Sequence, residues 1–133
     1  MCIRDSAQIE AARTTLPSGQ WLVADMTSFD LGQTFDGIVM WHSLFHLTAT
    51  EQRQVFPLLA AHAEPGSVLL FTAGPSAGST QGEFGGEVLA HHSLDAAEYE
   101  ALLVAADFTV LDYRESDPDC GNATVWFAQR TRL

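Results

Sequence analysis

Two short apolar runs, Trp21–Ala24 and Gly37–Trp41, each end in residues able to do chemistry. Asp25-Met26 follows the first; His42-Ser43 follows the second, with His46 four residues beyond His42. A carboxylate such as Asp25 accepts hydrogen bonds, which suits a ligand offering an amino group. Asp is equally the residue type for a turn or a helix cap. The indole of Trp41 offers its face to a cation, or its bulk to a core. His42 and His46 titrate near neutral pH, and their spacing would suit a metal if both lay on one helical face. The first falls at a strand end and no Cys or acidic set surrounds the pair, so no metal is expected. His91-His92-Ser93 stands just before a helix and could supply a general base over an acceptor pocket, or be an exposed loop pair. Cys120, inside Asp117-Pro-Asp-Cys-Gly121, reads as an incidental thiol in a turn.

The elements that must hold these residues follow from pattern. Short, wholly apolar runs read as strands buried on both faces, as in a parallel sheet covered by helices. Ligands of such sheets bind outside the carboxyl ends of the strands, where Asp25, Trp41 and His42 fall. Ala7–Thr14 is rich in helix formers, Gln20–Ala24 reads as a strand and Phe35–Trp41 as the next. Thr48 with Glu51 makes a capping box. Val55, Leu58, Leu59 and His62 then mark one helical face, in which Pro57 should kink or split the helix. Val68–Thr72 is a buried strand. Gly74–Gly86 is glycine-rich and predicts a long mobile loop. Asp95 with Glu98 repeats the capping-box spacing before the stripe Tyr99, Leu102, Leu103, Ala106. Phe108–Tyr113 and Thr124–Ala128, joined by the turn-rich 115–122, predict a closing antiparallel hairpin.

This α/β order, with WLVADM and FDGIVMWHSLFHL at two strand ends, resembles the class I S-adenosylmethionine-dependent methyltransferases over almost everything after residue 6. The resemblance implies a Rossmann-like, mostly parallel sheet in the order 3-2-1-4-5-7-6, with strand 7 antiparallel. Gln20–Ala24 would be strand 3, Phe35–Trp41 strand 4, Val68–Thr72 strand 5, and the hairpin strands 6 and 7. It implies S-adenosylmethionine as cofactor, with Asp25 and Met26 at the adenine and Met40 and Trp41 at the methionine end. His46 matches the family's histidine after strand 4. His42, His91 and His92 would face a small-molecule methyl acceptor. The family's G-x-G-x-G turn after strand 1 and the acid ending strand 2 are not in this sequence, and Gly82-x-x-Gly85-Gly86 does not join a strand to a helix.

Composition sets the remaining bounds. Of 133 residues, 47% are apolar and 17% charged, which is globular. A net charge of −11 with only six Lys and Arg argues against nucleic acid. No apolar run approaches a membrane span. With two cysteines, one of them in the first six residues, a reduced cytoplasmic setting is expected. Met1-Cys2-Ile3-Arg4-Asp5-Ser6 can be encoded by a sequence that looks like the transposon mosaic-end adaptor of sequencing libraries. Residues 1–6 are therefore expected to be a non-native scar, and 7–133 a partial methyltransferase domain lacking its first strands. The function expected is that of a methyltransferase fragment acting on a small molecule, inactive alone. The alternative is a non-catalytic methyltransferase-like α/β binding domain.

Overall fold

The computed structural model describes residues 2–3, 10–11, 14–15, 18, 22–74, 76–84 and 87–131, with backbone alone at 2–3, 22–23, 79–84 and 87–91. The chain divides into two units, Met1–Leu31 and Gly32–Leu133.

In the first unit, β1 (Cys2–Ile3) pairs in parallel with β2 (Leu22–Val23). The expected strand Gln20–Ala24 is thus seen as two residues, and Gln20 and Trp21 lie outside the described residues. Of the expected helix Ala7–Thr14, Glu10, Ala11 and Thr14 are helical, as is Thr15; the rest lies outside the described residues. The Thr14 and Thr15 hydroxyls donate to the carbonyls of Glu10 and Ala11, one turn back.

The second unit is built on a four-stranded sheet of β3 (Phe35–Met40), β4 (Ala63–Ala73), β7 (Phe108–Asp117) and β8 (Ala123–Arg130), in the spatial order β3-β4-β8-β7. β3 and β4 are parallel, and β8 runs antiparallel to both β4 and β7. This is the expected order 4-5-7-6 with an inverted strand 7. The carboxyl ends of β3, β4 and β7 consequently share one edge of the sheet.

Alternation explains which face is covered. Leu69 and Phe71 of β4 and Trp126 and Ala128 of β8 are buried on the same side. Two helices, α1 (Ala49–Ala61) and α2 (Ala96–Ala105), pack there. Phe56 of α1 meets Phe71 edge-on at 5.8 Å, and Tyr99 of α2 lies 5.8 Å from Phe71 and 5.9 Å from Trp126. The predicted stripes are these contacts: Val55, Leu59 and His62 of the first, and Tyr99, Leu103 and Ala106 of the second, are buried.

Local chemistry fixes the helix starts differently. At α1 the capping box forms in full, with Glu51 N–H donating to Thr48 Oγ1 at 3.2 Å and Thr48 N–H to Glu51 Oε1 at 3.0 Å. At α2 it does not. Asp95 Oδ1 instead accepts the Ala77 N–H at 3.1 Å, and the Glu98 carboxylate is bidentate on Arg53 of α1. Pro57 neither splits nor ends α1, and it sits on the exposed side of the helix.

The predicted mobile loop at Gly74–Gly86 is corrected by the structure. Gly78–Phe84 (β5) and Glu87–Ser93 (β6) form a regular antiparallel hairpin. The ladder is made by backbone groups, so glycines within it do not prevent pairing. His91-His92-Ser93 accordingly ends a strand and does not close a loop.

Candidate functional site

The chain leaves β3 through a tight turn. Met40 is the last strand residue and is buried; Trp41, next to it, is 43% exposed. His42 then adopts a left-handed backbone, φ 51°, which is sparsely populated for residues other than glycine. Its N–H donates at 2.7 Å to Oγ1 of Thr72, a hydroxyl buried at the carboxyl end of β4. Thr72, next to last in the parallel neighbour β4, thus holds the strained residue in place.

After His42 a 3-10 turn, Leu44–His46, is pinned by its apolar residues. Leu44 and Leu47 are fully buried, three residues apart. That spacing turns the intervening rings outward. Trp41 and His42 are 5.2 Å apart between ring centres, His42 and Phe45 6.0 Å, and Phe45 and His46 4.6 Å. A continuous series of four rings, with Trp41, His42 and His46 exposed, therefore lies on the carboxyl edge.

The second support is a buried polar network that sequence reasoning missed. Gln52 of α1 is fully buried, and its Nε2 donates to Leu47 O at 3.0 Å and to His92 O at 2.8 Å. Its Oε1 accepts from the Tyr99 hydroxyl at 2.6 Å, and that hydroxyl accepts the Leu94 N–H at 3.1 Å. One side chain so ties the end of the 3-10 turn, the end of β6 and the start of α2 together. Burial pushes the Tyr99 phenol above its ordinary pKa, against the opposing hydrogen bond from Leu94. A signal existed: Gln52, Val55 and Leu59 are spaced i, i+3, i+7, so a polar residue stands on the buried stripe. Close packing completes the corner. A Cβ on Gly74 would stand 2.7 Å from Ser93 Cβ.

The structure therefore brings Met40, Trp41, His42 and His46 to one turn, with β6, which carries His91 and His92, packed against it. Asp25 and Met26 belong to the first unit. There Asp25 Oδ1 accepts from the Thr27 N–H at 2.8 Å and from the Thr27 hydroxyl at 2.7 Å, the turn role that its residue type allows. Among the described residues no cluster of three or more His, Cys, Asp or Glu side chains is placed to hold a metal, and no helix is long and apolar enough to cross a membrane.

The sequence matches no family model and no curated protein. Solved structures do match. S-adenosylmethionine-bound CalS10, an amino pentose methyltransferase from Micromonospora echinaspora, superposes with a TM-score of 0.78 at 21% identity, over 98% of this chain and 72% of its own. An S-adenosylmethionine-dependent methyltransferase from Methanosarcina mazei gives 0.78 at 18%, over 99% and 81%. The glycopeptide N-methyltransferase MtfA in complex with S-adenosylhomocysteine gives 0.75 at 15%, over 97% and 72%. The chain has the fold of the class I methyltransferases. In that fold β3, β4, β7 and β8 are strands 4, 5, 6 and 7, so the ring series from Trp41 to His46 follows strand 4.

Proposed function

We propose that this chain takes part in S-adenosylmethionine-dependent methyl transfer to a small molecule. The observation that carries the reading is the exposed Trp41–His42–Phe45–His46 series at the carboxyl edge of a methyltransferase-type sheet. When bound, the cofactor supplies an electrophilic methyl group on a sulfonium sulfur. Its displacement needs donor and acceptor held in line and no covalent nucleophile.

The residues present fit that group in part. Trp41 offers an exposed indole face to a cation, and Met40 ends the strand beside it. His46 lies on the same turn, and Asp25 and Met26 are assigned to the adenine. His42, whose backbone Thr72 holds, and the β6 residues His91 and His92 are assigned to the acceptor side. An amino pentose methyltransferase and a glycopeptide N-methyltransferase among the neighbours support a small-molecule acceptor. Cysteine usage goes with a cytoplasmic setting.

The sequence contains no G-x-G-x-G motif. The reading therefore gives these residues part of the cofactor site and expects the chain alone to be inactive. The same observation favours the second reading, a non-catalytic methyltransferase-like binding domain. Titrating the 15N-labelled chain with S-adenosylmethionine tests between them. The expected result is weak, saturable shifts at 40–47 that Trp41→Ala removes. No shift there at millimolar cofactor sinks the methyltransferase reading and leaves the second.

A further inference from the structure

Thr72 does more than brace the backbone of His42. Its Oγ1 accepts the His42 N–H at 2.7 Å and also stands 3.5 Å from Nδ1 of the same residue's ring. One hydroxyl so meets a backbone and a ring atom of one histidine, at the turn where its φ is 51°. Nδ1 is the ring nitrogen beside the buried hydroxyl. His42 itself is exposed, which leaves Nε2 as the nitrogen that a ligand at the carboxyl edge can meet.

The protons can be accounted for one by one. A hydroxyl has one proton to donate and two lone pairs. One lone pair of Oγ1 is taken by the His42 N–H. Thr72 is 1% exposed, and among the described residues its Oγ1 has no hydrogen-bond partner besides these two atoms of His42. The hydroxyl proton therefore has one available acceptor, Nδ1. A neutral imidazole carries one N–H and one lone pair. With the lone pair on Nδ1, Oγ1–H donates to it and both groups are satisfied. With the proton on Nδ1, Oγ1 must accept twice and its own proton is left buried without an acceptor, the costlier arrangement. A separation of 3.5 Å is long for such a bond, so the preference it sets is several-fold and not absolute.

We propose that Thr72 is a positioning residue that holds neutral His42 as its Nε2–H tautomer, so that the ring presents a hydrogen-bond donor to the carboxyl edge and no lone pair. A ligand meeting His42 then does so through a lone pair of its own, on a hydroxyl, carbonyl or neutral amine. His42 in this form takes no proton through Nε2, and a base acting on a methyl acceptor has to be another group. That use of His42 rests on the reading of this edge as the acceptor side; the tautomer does not.

Long-range proton–nitrogen correlation of the imidazole rings in the 15N-labelled chain tells the tautomers apart. Spectra are taken about two pH units above an ordinary histidine pKa, where the ring is neutral, with His42 identified by its loss in His42→Gln. The same chain unfolded in urea gives the ratio without any bias from Thr72. The expected result is a ratio of Nε2–H to Nδ1–H about three- to tenfold higher in the folded chain, the effect of one modest hydrogen bond. Thr72→Val, which keeps the branched shape and removes the hydroxyl, should return the ratio to the unfolded value, and Thr72→Ser should keep the folded one. A folded ratio equal to or below the unfolded one overturns the proposal, as does an unchanged ratio in Thr72→Val. Should Thr72→Val fail to fold, the folded and unfolded forms of the unsubstituted chain still decide. A packing role alone for Thr72 would leave these ratios where they are. Neither cofactor nor acceptor enters the measurement, so its failure and that of the methyltransferase reading are separate results.

Discussion

Removing a single oxygen at Tyr99 is the sharpest probe of the buried network. In Tyr99→Phe the ring stays, and with it the contacts to Phe56, Phe71 and Trp126 at 5.8–6.2 Å. What disappears is the hydroxyl that donates to Gln52 Oε1 at 2.6 Å and accepts the Leu94 N–H at 3.1 Å. Both partners are buried, so two polar groups lose their bond with little access to water. Each such orphan costs about 1–3 kcal/mol, and partial relaxation puts the sum at about 2–4 kcal/mol. Urea unfolding followed by circular dichroism should show a midpoint lowered by that amount divided by an unchanged m-value. A loss below about 0.5 kcal/mol, the range of ordinary surface substitutions, would refute the reasoning. A second readout checks the same atom. Because burial raises the folded phenol's pKa above the ordinary 10.0, the unfolded chain releases this proton first as pH rises. The contribution is whole below about pH 10 and declines above it. Tyr99→Phe should flatten that alkaline loss of stability.

Three further perturbations follow from the same geometry. Gly74→Ala places a Cβ against Ser93 Cβ and should cost about 1–3 kcal/mol, as for overpacking; Ser93→Gly in the same chain should recover part of it in thermal melts. Thr48→Ala removes the hydroxyl of the capping box and should cost about 1 kcal/mol by urea midpoint. Val39→Lys, at a residue 59% exposed on β3, the terminal strand of its sheet, should leave the midpoint within about 0.5 kcal/mol. It should also slow aggregation measured by light scattering, because a charge on an edge strand opposes edge-to-edge pairing.

What could be read from the sequence was whatever side-chain pattern decides. The apolar runs gave β3 and β4, the Thr48/Glu51 spacing gave the start of α1, and the 115–122 turn gave the final hairpin. Ends were less legible: β4 runs five residues further back than Val68, through Pro65 and Gly66, because Ser67 Oγ accepts the Glu64 N–H and donates to Phe35 O, bridging the irregular pairing there. The β5–β6 hairpin was hidden because backbone bonds build it and its side chains announce only flexibility. Of the candidate site, the position of Trp41, His42 and His46 on one turn could be read from the end of an apolar run. Thr72 and Gln52 were not, since their importance comes from what lies across the sheet or across the helix from them. Asp25 shows the opposite limit, for one residue type serves a turn and a ligand equally well.

The inverted direction of β8 bears on how this edge can vary between related proteins. Because the chain returns through a hairpin and not a helical crossover, residues 118–122 arrive on the same edge as the 41–47 turn. The two loops tolerate change very differently. The first hangs on Leu44 and Leu47, both in the core, so its length and shape are tied to the packing of α1. The second has no buried residue between Asp117 and Thr124, and Pro118, Asp119, Gly121 and Asn122 are exposed. Insertions or substitutions there leave the interior untouched. The architecture thus separates a conservative loop from an adaptable one along a single rim, the second free to change in length while the first is held still.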